Sequence, residues 1–252
     1  MNKLLLFKIF LRSFFIQATL NFRRMQNLGF TMTIIPVIRE WNLTKEDAGE
    51  LLTRHLQLFN THPYLSAPVI GSVLKLEEDH FNGSHLNTAD IITVKQVLSG
   101  PYAAIGDTFF WGALRPFAAM MACVLAYAGN TFAPLAFLLL YTPSHLWVRA
   151  KGFWESYRRG KQGVEFVRML DLPNVAVRMR WFSLILLSGT ALFLISGSQY
   201  SSFVNLSGMM TNLAAIAVIM VCFLLVKKRI SQVYIFYAAA LLFLLISSLK
   251  EI

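Results

Sequence analysis

Residues 181–226 run for 46 positions without an Asp, Glu, Lys, Arg or His. A helix rises ~1.5 Å per residue, so the run would stretch roughly 70 Å as one helix, against a bilayer hydrocarbon core of ~30 Å. It fits two crossings and a short turn, and the polar stretch Gln199-Tyr-Ser-Ser-Phe-Val-Asn205 supplies the turn. Residues 231–249 form another charge-free run. The pattern predicts spans at 181–198, 206–226 and 233–249. A helix pair buried in a soluble core is the competing reading, and three such segments in succession weigh against it.

Composition agrees. Hydrophobic residues make up 56% of the chain and charged residues 14%, with a mean hydropathy of +0.55. Disorder requires the opposite balance. The formal charge of +10 would suit a nucleic-acid binder, but its distribution does not. Residues 1–147 carry 11 Lys/Arg and 9 Asp/Glu, whereas 148–252 carry 12 and 4. The excess sits in 148–180 and in Lys227-Lys-Arg229, on either side of the first apolar run. Cytoplasmic loops of membrane proteins carry such excess, so both basic stretches face the cytoplasm and the 181–226 hairpin leaves and returns.

Residues 116–148 carry no Asp, Glu, Lys or Arg. Gly129-Asn130 interrupts them, which predicts two short apolar pieces, 117–128 and 131–141. Interrupted segments of this kind are typical of broken or re-entrant transporter helices; one kinked span is the alternative. The first twelve residues resemble a secretion signal, but Lys8 and Arg12 break the apolar core and no small-residue cleavage site follows. They read as an amphipathic helix lying on the membrane surface. Cys123 and Cys222 both lie in apolar segments and suggest neither a disulfide nor a metal ligand.

The remainder of the first half is densely punctuated helix. Thr44 with Asp47 forms a variant capping box, and Leu51, Leu52, His55, Leu56 and Phe59 follow at helical spacing. Asn60-Thr-His-Pro63 stops that helix. A second helix is predicted from 66 to 80 with Pro68 in its first turn, and a third over 88–98, ending at Gly100-Pro101. Period-2 alternation is absent. The fold class is therefore an all-α integral membrane protein: short amphipathic and broken or re-entrant helices in the N-terminal half, then about three C-terminal transmembrane helices.

Chemistry-bearing residues concentrate in this half. His55 and His62 with Glu78 could serve a membrane hydrolase, or with Glu77 or Glu78 a metal, but the spacing matches no zinc pattern. A packed, hydrogen-bonded histidine is the ordinary reading of His55. Glu77-Glu78-Asp79 also reads as a solvated helix end. No nucleophile motif or phosphate-cradling loop is present, so no catalytic residue, metal or cofactor is assigned. Asp107 precedes a long apolar segment, with Arg115 eight residues on. A charge at membrane depth costs ~2.5–3.5 kcal/mol and persists mainly where it pairs or serves a pathway; a helix-capping Asp at the interface is the alternative.

Several strings also resemble a known family. They are Leu11-Arg-Ser13, Gln17-Ala-Thr-Leu-Asn21, Arg24-Met-Gln-Asn-Leu-Gly-Phe30, Ile35-Pro36, Arg54-His-Leu-Gln-Leu-Phe-Asn-Thr-His-Pro63, Ala67-Pro-Val-Ile-Gly71, Leu76-Glu-Glu78 and Gly100-Pro-Tyr-Ala-Ala-Ile-Gly-Asp-Thr-Phe-Phe-Trp-Gly-Ala-Leu-Arg-Pro116. Together they resemble the IID subunit of the mannose/fructose/sorbose-type phosphotransferase-system (PTS) permeases. More loosely, the likeness continues through Gly160-Lys-Gln-Gly163 and the Lys227-Lys-Arg-Ile segment.

The resemblance implies a bacterial cytoplasmic (inner) membrane protein, multi-pass with a cytoplasmic N-terminus. It pairs with a IIC membrane subunit to form the path for a hexose, in higher oligomers of IIC–IID pairs embedded in lipid. IIA and IIB carry the phosphate on the cytoplasmic face, and IIB phosphorylates the sugar; IID itself is not phosphorylated. On this view 1–147 is the helical core contributing to the sugar site, 148–180 a basic cytoplasmic connection that docks IIB, and 181–252 the spans. Asn60, Thr61, His62, Glu77, Glu78, Lys95 and Asp107 lie in or beside the matching strings and are the candidate sugar ligands, since sugars need charge-assisted and amide hydrogen bonds. Glu78→Gln and Asn60→Ala are expected to abolish uptake. Where the family string reads Gln-Gly-Ser-Trp-Asn, this chain has Ala18, Thr19 and Leu20, and Ser156-Tyr-Arg-Arg-Gly160 departs from Gly-Tyr-x-x-Gly. The 199–205 connection is also shorter than in many relatives. A regulatory or vestigial subunit of an incomplete system is the alternative function.

Overall fold

The computed structural model describes residues 1–196 together with Ala217, Val221, Leu224, Leu225 and Tyr237. The chain divides into two units, Met1–Ser188 and Gly189–Ile252, and the first holds all seven candidate sugar ligands.

Among the described residues, regular structure is helical: α1 Lys3–Ser13, α2 Asn27–Ile34, α3 Pro36–Glu40, α4 Lys45–His55, α5 Ser66–Phe81, α6 Thr88–Gly106, a π-helical segment Asp107–Leu114, α7 Arg115–Tyr127, α8 Ala133–Arg159, α9 Val164–Met169 and α10 Leu172–Ser196. Local chemistry accounts for the starts. Asn2, Thr44 and Asn87 each accept a backbone N–H with their side chain at the head of α1, α4 and α6. The Thr44 hydroxyl also donates to Asp47 at 2.8 Å. Glu46 and Asp47 begin α4 while Arg54 and His55 end it, which suits the helix dipole at both ends.

Helix α5 is the centre of the fold. Ala67, Val69, Ile70, Val73, Leu74 and Leu76 are all buried, so the helix is covered on nearly every side. Its main partner is α8. The two cross where Gly71 faces the backbone of Phe153 and Gly152 faces the ring of Pro68, and a Cβ at either glycine would collide with the opposite helix. Glycine is used here for close approach. Phe153 fills the space beside the crossing and packs against Phe10 of α1, ring centroids 5.6 Å apart.

The third predicted helix does not stop at Gly100-Pro101. Helix α6 runs on through Pro101, the π segment carries the axis to Pro116, and α7 follows, so that 88–127 is one continuous helical stretch. Pro101 is exposed, so its ring and the carbonyl it leaves without a donor face outward. Among the described residues this is the one helix long and apolar enough to cross a membrane. The chain turns back at the predicted break: Gly129 has φ 78°, and Asn130 accepts the backbone N–H of Phe132 at 2.9 Å. The return helix is longer than expected, continuing past 141 and through Pro143 to Arg159.

The basic stretch 148–180 is folded structure. It comprises the last turns of α8, a 3-10 turn at Gly160–Gly163, α9 and the first turns of α10, and it buries Phe153, Phe166, Val167, Leu172 and Ala176. Arg158, Arg159, Lys161 and Arg168 are exposed, whereas Arg149 is buried. The predicted span 181–198 falls largely within α10; those at 206–226 and 233–249 lie outside the described residues but for isolated positions.

Among the described residues, apolar surface remains uncovered on α1, on the α7–α8 hairpin and on α10, where Trp181, Phe182, Ile185 and Leu187 are exposed. Helix α1 buries Leu5, Leu6, Ile9 and Phe10 but presents Leu4, Phe7, Leu11 and the following Phe15 outward. The α7–α8 hairpin likewise exposes Tyr127, Phe132, Leu135, Leu138 and Leu139.

Candidate functional site

The strip between α4 and α5 is non-helical, with Pro63 near its end, and it is held open by side chains. Gln26 at the head of α2 donates to the Thr61 carbonyl at 2.7 Å and accepts the Thr61 N–H at 3.1 Å, in the manner of a neighbouring strand. Its own N–H bonds to the Phe59 carbonyl at 2.8 Å. Asn27 donates to Leu56 at 2.7 Å and Asn21 donates to Asn27 at 2.8 Å. These amides fix Asn60, Thr61 and His62 beside the first turn of the π segment.

His62 is buried and held on three sides. Its ring stacks on Phe110 at 5.3 Å and meets Trp111 edge-on at 4.6 Å. Gly106 leaves the room, since a Cβ there would overlap the imidazole. Nδ1 accepts the Tyr64 N–H at 3.2 Å, which places the proton of the neutral ring on Nε2. Burial, reinforced by Arg149 and His145, lowers its pKa to about 4, so the ring is neutral at pH 7. Nε2 is buried and makes no hydrogen bond within the chain; the same is true of Thr61 Oγ1. Buried polar groups left unmatched cost about 1–3 kcal/mol each.

A cleft of about 210 Å³ opens here, lined by Gln17, Gln26, Asn60, Thr61, His62, Asp107 and Trp111 with apolar walls from Leu20, Met25 and Pro63. Four of the seven sequence candidates therefore share one cleft. Gln17, Gln26 and Trp111 were missed, although each lies inside a string that carries the family resemblance. The back of the site is tied to α8: Arg149 donates to the Pro63 carbonyl at 2.6 Å, Tyr64 stacks on His145 at 4.2 Å, and the Tyr64 and Tyr141 hydroxyls are 3.1 Å apart.

Glu77 and Lys95 form a second, separate cluster. Both oxygens of Glu77 are taken by Arg54, at 2.8 and 2.7 Å, and Oε1 also receives His55 Nε2 at 2.7 Å. Burial alone would raise the Glu77 pKa, but the hydrogen bonds from His55 and Arg54 outweigh it and hold the carboxyl at about 2. His55 is kept neutral by its burial. Lys95, also buried, donates to the His55 carbonyl at 2.8 Å and lies 4.3 Å from the Phe30 ring centroid. The cluster bolts α4, α5 and α6 together.

Glu78 belongs to a third place. It accepts from the Tyr157 hydroxyl at 2.6 Å and from the Met1 amine, with Lys75 at 3.7 Å. Burial opposes its ionisation, yet the hydrogen bonds from the amine and Tyr157 keep its pKa below the usual carboxylate value. Among the described residues no group of three or more His, Cys, Asp or Glu is placed to hold a metal ion.

Likeness to known proteins identifies the fold and the family. The mannose-specific EIID component of Escherichia coli (strain K12) is 38% identical over 153 residues, covering 60% of this chain and 54% of that protein. The fructose permease IID component of Bacillus subtilis (strain 168) is 36% identical over 157 residues, covering 62% and 57%. The sorbose-specific EIID component of Klebsiella pneumoniae is 37% identical over 155 residues, with the same coverage. The chain thus spans little more than half the length of these relatives. Among solved structures, one described as a membrane protein superposes with a TM-score of 0.74 at 26% identity, covering 96% of this chain and 95% of the other. A chain of the cryo-EM complex of the mannose transporter ManYZ with microcin E492 (MceA) does so with a TM-score of 0.61 at 26% identity, covering 97% and 95%. The fold is therefore that of an all-α membrane protein. A family model described as the PTS system mannose/fructose/sorbose family IID component matches residues 1–251, and the chain belongs to that family.

Proposed function

We propose that this chain is the IID subunit of a hexose permease and that the Asn60–His62 cleft is where it contacts the sugar. The observation that carries this reading is the pair of buried, unmatched groups, His62 Nε2–H and Thr61 Oγ1, on residues that line the same cleft as Gln17, Asn60 and Asp107. A hexose offers hydroxyls that both donate and accept, and an apolar ring face suited to Trp111. These relatives are named for mannose, fructose and sorbose, all hexoses. On this reading the chain is not itself phosphorylated: IIB phosphorylates the sugar on the cytoplasmic face, supplied by IIA. The exposed Arg158, Arg159, Lys161 and Arg168 are a suitable landing surface for IIB, because complementary charge speeds encounter. A IIC subunit covers the outward apolar face of the α7–α8 hairpin and completes the path, in higher oligomers of IIC–IID pairs. The protein lies in the bacterial inner membrane as a multi-pass chain with a cytoplasmic N-terminus, with 1–147 carrying the sugar site, 148–180 the cytoplasmic face and 181–252 the spans.

Uptake of labelled mannose and fructose in strains with and without this gene tests the reading. Asn60→Ala and Asp107→Asn are expected to lower uptake at least about tenfold, the effect of one good charge-assisted hydrogen bond, at unchanged membrane abundance. Normal uptake in both variants rules out the cleft. Uptake of neither sugar with or without the gene, with the protein stably in the membrane, overturns the transport reading in favour of a regulatory subunit.

A further inference from the structure

We infer that Arg180, in α10, is a positioning residue that holds the π-helical segment in register and so sets the shape of the cleft. The inference rests on the cleft being the sugar site, and it begins with two absences in the sequence. Pro116 has no N–H, so in an ordinary α-helix the carbonyl four residues earlier, that of Gly112, would have no donor and would crowd the proline ring. The chain answers by widening to π geometry over Asp107–Leu114, immediately before that proline. Such single-site widenings are rare and occur mostly at functional sites. The second absence is the side chain of Gly112.

Arg180 occupies the notch these absences create. Its Nε donates to the Gly112 carbonyl at 3.3 Å and its Nη2 to the Thr108 carbonyl at 3.4 Å. A Cβ on Gly112 would stand 3.1 Å from Nη2 and press the guanidinium out. The guanidinium thus supplies a donor to the carbonyl that Pro116 could not serve if the segment closed to α register. The widened segment carries Asp107 at its start and Trp111 in its middle, and both line the cleft. Closing the π segment to α register would rotate one end against the other by about one residue, ~100° at 3.6 residues per turn, and Asp107 and Trp111 could no longer face the cleft together. Arg180 therefore acts on the sugar through the backbone, from an element that makes no part of the cleft lining.

The test is a double-mutant cycle in the full chain expressed in its native membrane. Arg180→Ala is expected to raise the uptake KM about tenfold with Vmax within about twofold, and Arg180→Lys to recover part of the loss. Pro116→Ala restores the missing N–H, so in that background Arg180→Ala is expected to change KM no further, a non-additive cycle. A KM unchanged by Arg180→Ala, or additive effects, overturns the inference while Asp107→Asn and Asn60→Ala still report on the cleft itself. Should those two leave uptake intact, the cleft reading fails, and amide exchange across 107–114 in the purified chain decides the matter for Arg180. Faster exchange in Arg180→Ala than in the parent upholds its hold on the segment, and equal exchange refutes it.

Discussion

Replacing Glu77 by Gln removes the one buried carboxylate that faces Arg54, His55 and Lys95 together. Its side chain is only 3% exposed, so solvent does little to screen the loss. The carboxyl moves from an ordinary 4.5 to about 2 on folding. At ~1.4 kcal/mol per tenfold, that difference corresponds to about 3 kcal/mol of stability. It agrees with the 3–5 kcal/mol typically lost when one partner of a buried ion pair is removed. Because the folded pKa lies below the unfolded one, this contribution is complete above pH 4.5 and is lost as pH falls toward 2. Thermal unfolding of the full chain in detergent, followed by tryptophan fluorescence, should show Glu77→Gln melting roughly 6–12 °C below the parent at pH 7, from 2–4 °C per kcal/mol. The gap should narrow as both are acidified from pH 5 to 3. A variant that melts within 2 °C of the parent, or a gap that stays constant with pH, refutes the bolt between α4, α5 and α6.

Other substitutions probe other parts. Gly71→Leu drives a side chain into the backbone of Phe153 and should cost at least about 2 kcal/mol, read as loss of monodisperse protein in size-exclusion chromatography. Gly106→Ala should displace His62, lowering hexose uptake and the melting temperature together. Neutral His62 charges only as pH falls from 6.5 toward about 4, so its share of stability is full above 6.5 and lost below it; a His62→Gln variant should show a flatter melting profile over that interval. Charge reversal of Arg158 and Arg159 should slow sugar phosphorylation in membranes supplied with limiting IIB while leaving melting unchanged, and unaltered rates would remove this surface from the docking face.

The sequence displayed the features that depend on neighbours along the chain. Thr44 with Asp47, Ser66 with Pro68, and Gly129-Asn130 each mark a helix end with local chemistry, and the structure follows them, whereas α4 ends at His55, short of the stop predicted at Asn60–Pro63. Pro101 misled, since a proline's effect depends on what accommodates it. Pro101 points outward, and Pro116 is absorbed by a widening of the helix ahead of it. The candidate sugar residues divide similarly. Asn60, Thr61, His62 and Asp107 share a cleft, whereas Glu77, Glu78 and Lys95 are drawn by residues 22 to 79 positions away into other hydrogen bonds, and no sequence spacing encodes that. Trp111 and the two glutamines sat in the matching strings, but as an apolar residue and two uncharged ones they carried no signal of their own.

The crossing of α5 and α8 at Gly71 and Gly152 has a consequence for biogenesis. The chain leaves the ribosome from its N-terminal end, so α5 exists well before the helix that covers it, and the α6–α7 stretch lies between. Until the hairpin has turned at Gly129-Asn130 and come back, the side of α5 that meets α8 at Gly71 stays open. Insertion of the hairpin and closure of the first unit's core are therefore one event. A defect at the hairpin tip, far from any polar site, would surface as an exposed apolar helix and early proteolysis of the nascent protein.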